Sequence, residues 1–172
     1  VRLWGYAAIG IHMNGPNLNL FKKYCKDNFL YKNKLNLEDD YAVLHIRKGD
    51  FPAQSRLSID YYKRALESVP EHMKIYFISD CPDIKPGVEM DVGRKLSLKD
   101  GNSILEDFES IVNASIIIAS NSTFCYWACV LSDAKLIIHP DRISEYKSFF
   151  LPFNEKHIEA MQCTFESENE KS

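Results

Sequence analysis

Between Tyr41 and Pro140 the chain repeats one pattern, a short apolar run followed by a longer stretch with helical spacing. AVLHI (42–46) precedes SIDYYKRALESV (58–69), where Ile59, Tyr62, Ala65, Leu66 and Val69 recur at helical intervals behind Ser58, a candidate N-cap. IYFISD (75–80) closes at Cys81-Pro82, and a polar stretch through Gly87 and Gly93 leads to the turn Asp100-Gly101-Asn102. SILEDFESIVNA (103–114) then carries Ser103 and Glu106 at capping-box spacing. SIIIAS (115–120), NSTFCYWACVLS (121–132) and KLIIHP (135–140) read as strand, helix and last strand. Apolar runs this short, with no polar alternation, suit strands buried on both faces by crossover helices. The pattern predicts an α/β fold: a Rossmann-like, mostly parallel open sheet with helices on both faces.

Outside that region the signals are weaker. WGYAAIGIHMNGPNLNL (4–20) is punctuated by Gly and Pro without a period, and reads as irregular or short helical structure. LFKKYCKDNFLYKNKL (20–35) has Leu20, Phe21, Tyr24 and Leu30 at loosely helical spacing. Glu38-Asp39-Asp40 faintly resembles an acidic metal-binding motif, but it precedes the strand and reads as a solvated connection. A helix or two is expected from about Asp141, before the charged tail ESENEKS (166–172). The expected organisation is a segment 1–40 packed on a domain 41–160, with a flexible tail 161–172. A chain of 172 residues is long enough for one domain with a real core.

Composition narrows the function classes. A net charge of −3 argues against bulk nucleic-acid binding, which leaves a basic footprint, so any basic site must be local and suited to a small anion. No apolar run approaches the roughly 18 residues of a membrane span, and no signal peptide is evident. The sequence begins at Val1, which is expected of a processed product or a piece of a longer polypeptide. The five Cys form no C-x-x-C pair; Cys125 and Cys129, four apart, read as buried free thiols, and a reducing compartment is expected. Sequons at Asn113 and Asn121 are patterns short enough to arise by chance.

In an open parallel sheet, ligands collect at the carboxyl ends of the strands. Those ends are where this sequence turns polar: His45, Arg47, Lys48 and Asp50 after the first, Ser79 and Asp80 after the second, Ser120 to Thr123 after the third, His139 in the fourth. Arg47 offers a fork of donors suited to phosphate oxygens, with Lys48 as a point charge beside it. Gly49 permits either a positive φ or a close approach. Asn121, Ser122 and Thr123 open a helix whose free N–H groups favour an anion. A diphosphate held between Arg47 and that helix start fits these features together. Each also has a plainer reading: Asp50 paired with Arg47 or Lys48, His45 as a core histidine, Asn121 to Thr123 as a helix cap. There is no G-x-G-x-x-G, no Walker loop and no G-x-S-x-G elbow, and the five His (12, 45, 72, 139, 157) lack metal-ligand spacing, so no metal site is expected.

HIRKGD (45–50) resembles the H-x-R-R-x-D motif of the inverting α-1,2-fucosyltransferases, glycosyltransferase family 11. The similarity continues in order through LSIDYYKRAL, YFISDCP, the segment DGNSILEDFESIVNASIIIASNSTFCYWACVL and KLIIHP, covering about 41–142. The resemblance implies the donor-binding, carboxy-terminal half of a GT-B-type enzyme that transfers fucose from GDP-fucose to a glycan hydroxyl, with inversion and without a metal or other cofactor. It implies that Arg47 contacts the β-phosphate and stabilises the leaving diphosphate, that His45 and Asp50 organise the loop, and that Asp80 lies near the ribose or base. Lys48 joins the donor-binding set, Asn121, Ser122 and Thr123 line the pyrophosphate or sugar pocket, and Phe124 and Trp127 pack behind. Asp50 stands open as loop organiser, nucleotide contact or catalytic base. Lys48 replaces the motif's second Arg, Tyr126-Trp127 replaces its Trp pair, and the family's Gly-rich opening segment has no counterpart here. Another nucleotide sugar, or a non-catalytic nucleotide- or glycan-binding module, are the alternatives. The expected location is cytoplasmic or peripheral to a membrane, or the Golgi lumen for a piece of an anchored enzyme.

Overall fold

The computed structural model describes residues 16–28, 40–98, 103–140, 158–161 and 163. Five strands form one sheet: β1 (Tyr41–Ile46), β2 (Lys74–Ser79), β3 (Ile116–Ile118), β4 (Leu136–Pro140) and β5 (Ile158–Met161). Their order is β2-β1-β3-β4-β5, and every pairing is parallel. Leu44 of β1 stands between Phe77 of β2 and Ile118 of β3. The chain thus leaves β1 first toward one edge and then returns to build the other. This reversal makes the crevice between β1 and β3 the topological switch point, where the crossovers diverge to opposite faces.

The strands read as unbroken apolar runs because both sides of the sheet are covered. Tyr41 and Val43 of β1 point into one core with Ile117 of β3 and Ile137 of β4. That core is closed by Cys25 of α1 (Pro16–Asn28), Ile111 and Val112 of α4 (Ile104–Val112), and Cys125, Ala128 and Cys129 of α5 (Thr123–Leu131). Ala42, Leu44 and Ile46 point the other way, into a core closed by α2 (Ile59–Leu66) and Val88 of α3 (Lys85–Val92). Helices on both faces of a parallel sheet confirm the Rossmann-like α/β reading.

Two elements differ from the sequence expectation. The polar stretch after Cys81-Pro82 contains α3, whose Pro86 lies in the first turn, where its missing N–H costs nothing. Gly93 ends that helix at φ +66°, donating its N–H to Glu89 O at 2.9 Å. Residues that look like loop punctuation are helix-terminal signals here. KLIIHP is also not the last strand, because β5 adds to its edge, Ile137 pairing with Ile158. The irregular reading of 4–15, the acidic residues Glu38 and Asp39, the helical reading of 141–157 and most of the expected tail lie outside the described residues. Ser103 caps α4 as expected, accepting from the Glu106 N–H while Glu106 reaches back to the Ser103 N–H.

Tyr61 of α2 ties this layer to the switch-point side of the sheet. Its fully buried hydroxyl donates to Ala119 O at 2.7 Å and lies 3.2 Å from Ile138 O. Burial pushes its ionisation well above the ordinary tyrosine range, so it stays a donor. Tyr61→Phe is expected to lower stability by about 1 kcal/mol in urea unfolding with an unchanged m-value, the net worth of a buried hydrogen bond. An unchanged midpoint would show that the hydroxyl contributes nothing.

Candidate active site

The loop after β1 is held from three sides, and each hold uses a residue type with few substitutes. Asp80, one residue past β2, turns its carboxylate onto that loop. Oδ1 accepts the Lys48 N–H and Oδ2 the Gly49 N–H, both at 2.9 Å. Oδ2 also lies 3.1 Å from Nη1 of Arg47. A carboxylate receiving two backbone N–H groups and a guanidinium is strongly anchored. Gly49 is required for that approach, since a Cβ there would sit 2.6 Å from Asp80 Oδ2 and 3.4 Å from Cys81 Sγ. Of the two roles open to Gly49 in the sequence, close approach is the one realised, and the visitor is the protein's own carboxylate.

Arg56 holds the loop from the opposite side. Its Nε donates to Phe51 O at 2.7 Å and its Nη2 lies 3.3 Å from Gly49 O. Nothing in the local pattern of QSRL singles out this arginine, because its partners are backbone carbonyls. A third hold comes from the far side of the switch point. Asn121 donates from Nδ2 to Ser55 O at 2.7 Å, tying the turn after β3 to the short 3₁₀ segment Ala53–Ser55. Its Oδ1 is buried with no hydrogen-bond partner. The sequon nitrogen of Asn113 is likewise engaged, donating to Glu109 O at 2.8 Å.

His45 lies beneath the loop, buried, with Nδ1 2.7 Å from Ser120 Oγ across the β1–β3 crevice. Its ring lies at a tilt to Phe124, and Cys125 of α5 lies in the core beneath. Cys129 beneath has its thiol pushed well above the ordinary range, first by its hydrogen bond with Cys125 and then by burial. All five cysteines are free thiols, and these two are core residues as expected.

The geometry therefore gathers His45, Arg47, Lys48, Asp50, Asp80 and Asn121 around the carboxyl ends of β1, β2 and β3. Arg47 is one-third exposed, and its Nη2 meets Asp50 Oδ1 at 2.5 Å. Lys48 is half-buried. Ser122 is the N-cap of α5 but makes no side-chain cap bond, and Thr123 is exposed at the first helical position. Neither hydroxyl joins the network just described among the described residues. Phe124 packs on Phe108, and Trp127 meets Phe21 edge-on, which seats α1 against α5. Lys22, donating to Ser132 O, and the ion pairs of Lys22 and Lys26 with Asp133 secure the same seat. The acidic Asp40 pairs with Lys135 and is a structural connection. Among the described residues no group of three or more His, Cys, Asp or Glu gathers, and no helix is long and apolar enough to cross a membrane. His12 and His157 lie outside those residues.

A doubly wound parallel sheet with an arginine braced at its switch point defines the class: a Rossmann-like α/β domain with a cationic loop at the strand ends. The model of glycosyl transferase family 11 matches residues 25–150. The chain belongs to that family, and so to the glycosyltransferases of the fucosyltransferase type. No curated protein and no solved structure matched the chain.

Gly49→Ala is expected to cost about 1–3 kcal/mol, the usual range for overpacking. In an Asp80→Ala background most of that cost should vanish, because the crowding atom is gone. Equal penalties in both backgrounds, measured by denaturant unfolding as a double-mutant cycle, would show that Gly49 serves something other than Asp80.

Proposed function

We propose that this protein transfers L-fucose from GDP-fucose to a glycan hydroxyl, with inversion and without a metal, and that the described domain is the donor-binding half of a GT-B-type arrangement. The observation that carries the reading is the bracing of Arg47 at the switch point, by Asp80 from β2, on the same edge as the start of α5. Family membership supports the glycosyl-transfer chemistry.

The steps follow from the charges. As the anomeric carbon–oxygen bond breaks, negative charge accumulates on the departing diphosphate. Preorganised donors aimed at that charge lower the barrier because they need no reorganisation during the reaction. Arg47 supplies guanidinium donors, Lys48 adds a point charge, and the free N–H groups of α5 supply its dipole. Ser122 and Thr123 offer hydroxyls to the same anion. Attack by the acceptor oxygen on the opposite face inverts the anomeric centre, and its proton passes to a base, for which Asp50 is the candidate within this domain. Both carboxylate oxygens of Asp80 already accept loop N–H groups, so Asp80 positions the loop, and its remaining lone pairs are what it offers a nearby ribose or base.

Calorimetric titration with GDP, UDP and GDP-fucose, with and without EDTA, tests the reading. GDP is expected to bind in both conditions, and Arg47→Ala to weaken it by about 1.5–3 kcal/mol, the worth of charged hydrogen bonds. Preference for UDP would contradict the donor, EDTA sensitivity the metal independence, and unchanged affinity in Arg47→Ala the phosphate contact. Turnover of GDP-fucose with glycan acceptors separates transfer from binding alone.

A further inference from the structure

Arg47 is gripped by two carboxylates that differ in how firmly each is itself held. Asp80 is 20% exposed and anchored by the Lys48 and Gly49 amides, so it cannot leave without stripping two N–H groups of their acceptor. Asp50 is 79% exposed, and its contact with Arg47 is an exposed pair three residues apart. Such pairs shift an equilibrium by no more than about fivefold, because water solvates both partners well when they separate. The edge of the guanidinium that faces solvent is therefore occupied by a carboxylate that is easily displaced.

We propose that Asp50 is a built-in stand-in for the diphosphate, bound to Nη2 of Arg47 in the empty site and displaced by the ligand's phosphate oxygens. The inference rests on the phosphate role proposed above for Arg47. A diphosphate carries more charge than a carboxylate and brings several acceptors, so it wins the exchange while Asp80 keeps the guanidinium in place. Displacement frees the Asp50 carboxylate only once the donor is bound, so its availability as a base is coupled to occupancy. After transfer, once the proton taken from the acceptor has passed from Asp50 to solvent, the carboxylate's return to Nη2 competes with the product nucleotide and promotes release. No bond is made or broken in the exchange; one anionic partner of Arg47 replaces another.

The coupling is measurable in GDP binding without any acceptor. Asp50→Asn is expected to bind GDP about two- to fivefold more tightly than the wild type, since an exposed ion-pair competitor has been removed. Asp60→Asn, which removes an exposed carboxylate at the start of α2, serves as the control for a general change in charge and is expected to give a smaller gain. In an Arg47→Ala background the gain from Asp50→Asn should disappear, because the competition acts through Arg47. Unchanged or weaker GDP binding by Asp50→Asn overturns the inference, as does a gain that persists without Arg47 or is matched by Asp60→Asn. If Arg47→Ala alone leaves GDP binding intact, the phosphate role of Arg47 fails, and the inference with it. If Arg47→Ala weakens binding while Asp50→Asn changes nothing, only the stand-in role fails.

Discussion

The candidate site depends on one carboxylate. Among the described residues, Asp80 contacts both the backbone and the Arg47 guanidinium of the loop after β1, and it does so from the end of a neighbouring strand. Its two amide bonds fix the loop's path; its contact with Nη1 fixes the guanidinium. Because both depend on the same two oxygens, loop shape and cation placement cannot vary independently. Gly49 is the complementary constraint, the position where any side chain would occupy the space of that carboxylate.

The sheet order explains why this bracing can matter for chemistry. At the switch point the crossovers leave in opposite directions, opening a crevice between the ends of β1 and β3. His45 and Ser120 close the floor of that crevice, Asn121 closes one wall through Ser55, and Arg56 holds the loop's carbonyls. Tyr61 pins the backbone beside it through Ala119. The result is a rim tied by hydrogen bonds of 2.7–3.3 Å that carries a partly exposed arginine. Rigidity is what lets a few donors discriminate developing charge, because a mobile donor would have to be ordered during the reaction.

Much of this was legible in the sequence, for physical reasons. Strands buried on both faces must be continuously apolar, so AVLHI, IYFIS, SIII and KLIIHP declared themselves, and Ser103 with Glu106 marked the start of α4. Polar residues stacked at strand ends marked the edge where the site lies. The illegible parts share a cause: they depend on long-range partners of the backbone. Arg56 serves carbonyls of the loop, Asp80 serves its amides, and neither role leaves a local pattern. Pro86 and Gly93 were ambiguous because the same residues that break a helix interior also begin and end helices. The β5 strand reads IEAM, and its exposed Glu159 interrupts the continuous apolar run that marked the other strands.

If Asp80 fixes the loop and Arg47 meets the anion as proposed, the loop backbone stays as it is when the ligand binds. An amide and guanidinium NMR titration with GDP, combined with hydrogen exchange, tests it directly. The account predicts protected Lys48 and Gly49 amides in an otherwise exposed loop, exchange little changed by GDP, and ligand-induced shifts centred on the Arg47 guanidinium and the first turn of α5. Unprotected Lys48 and Gly49 amides, or shifts centred away from Arg47, would contradict it.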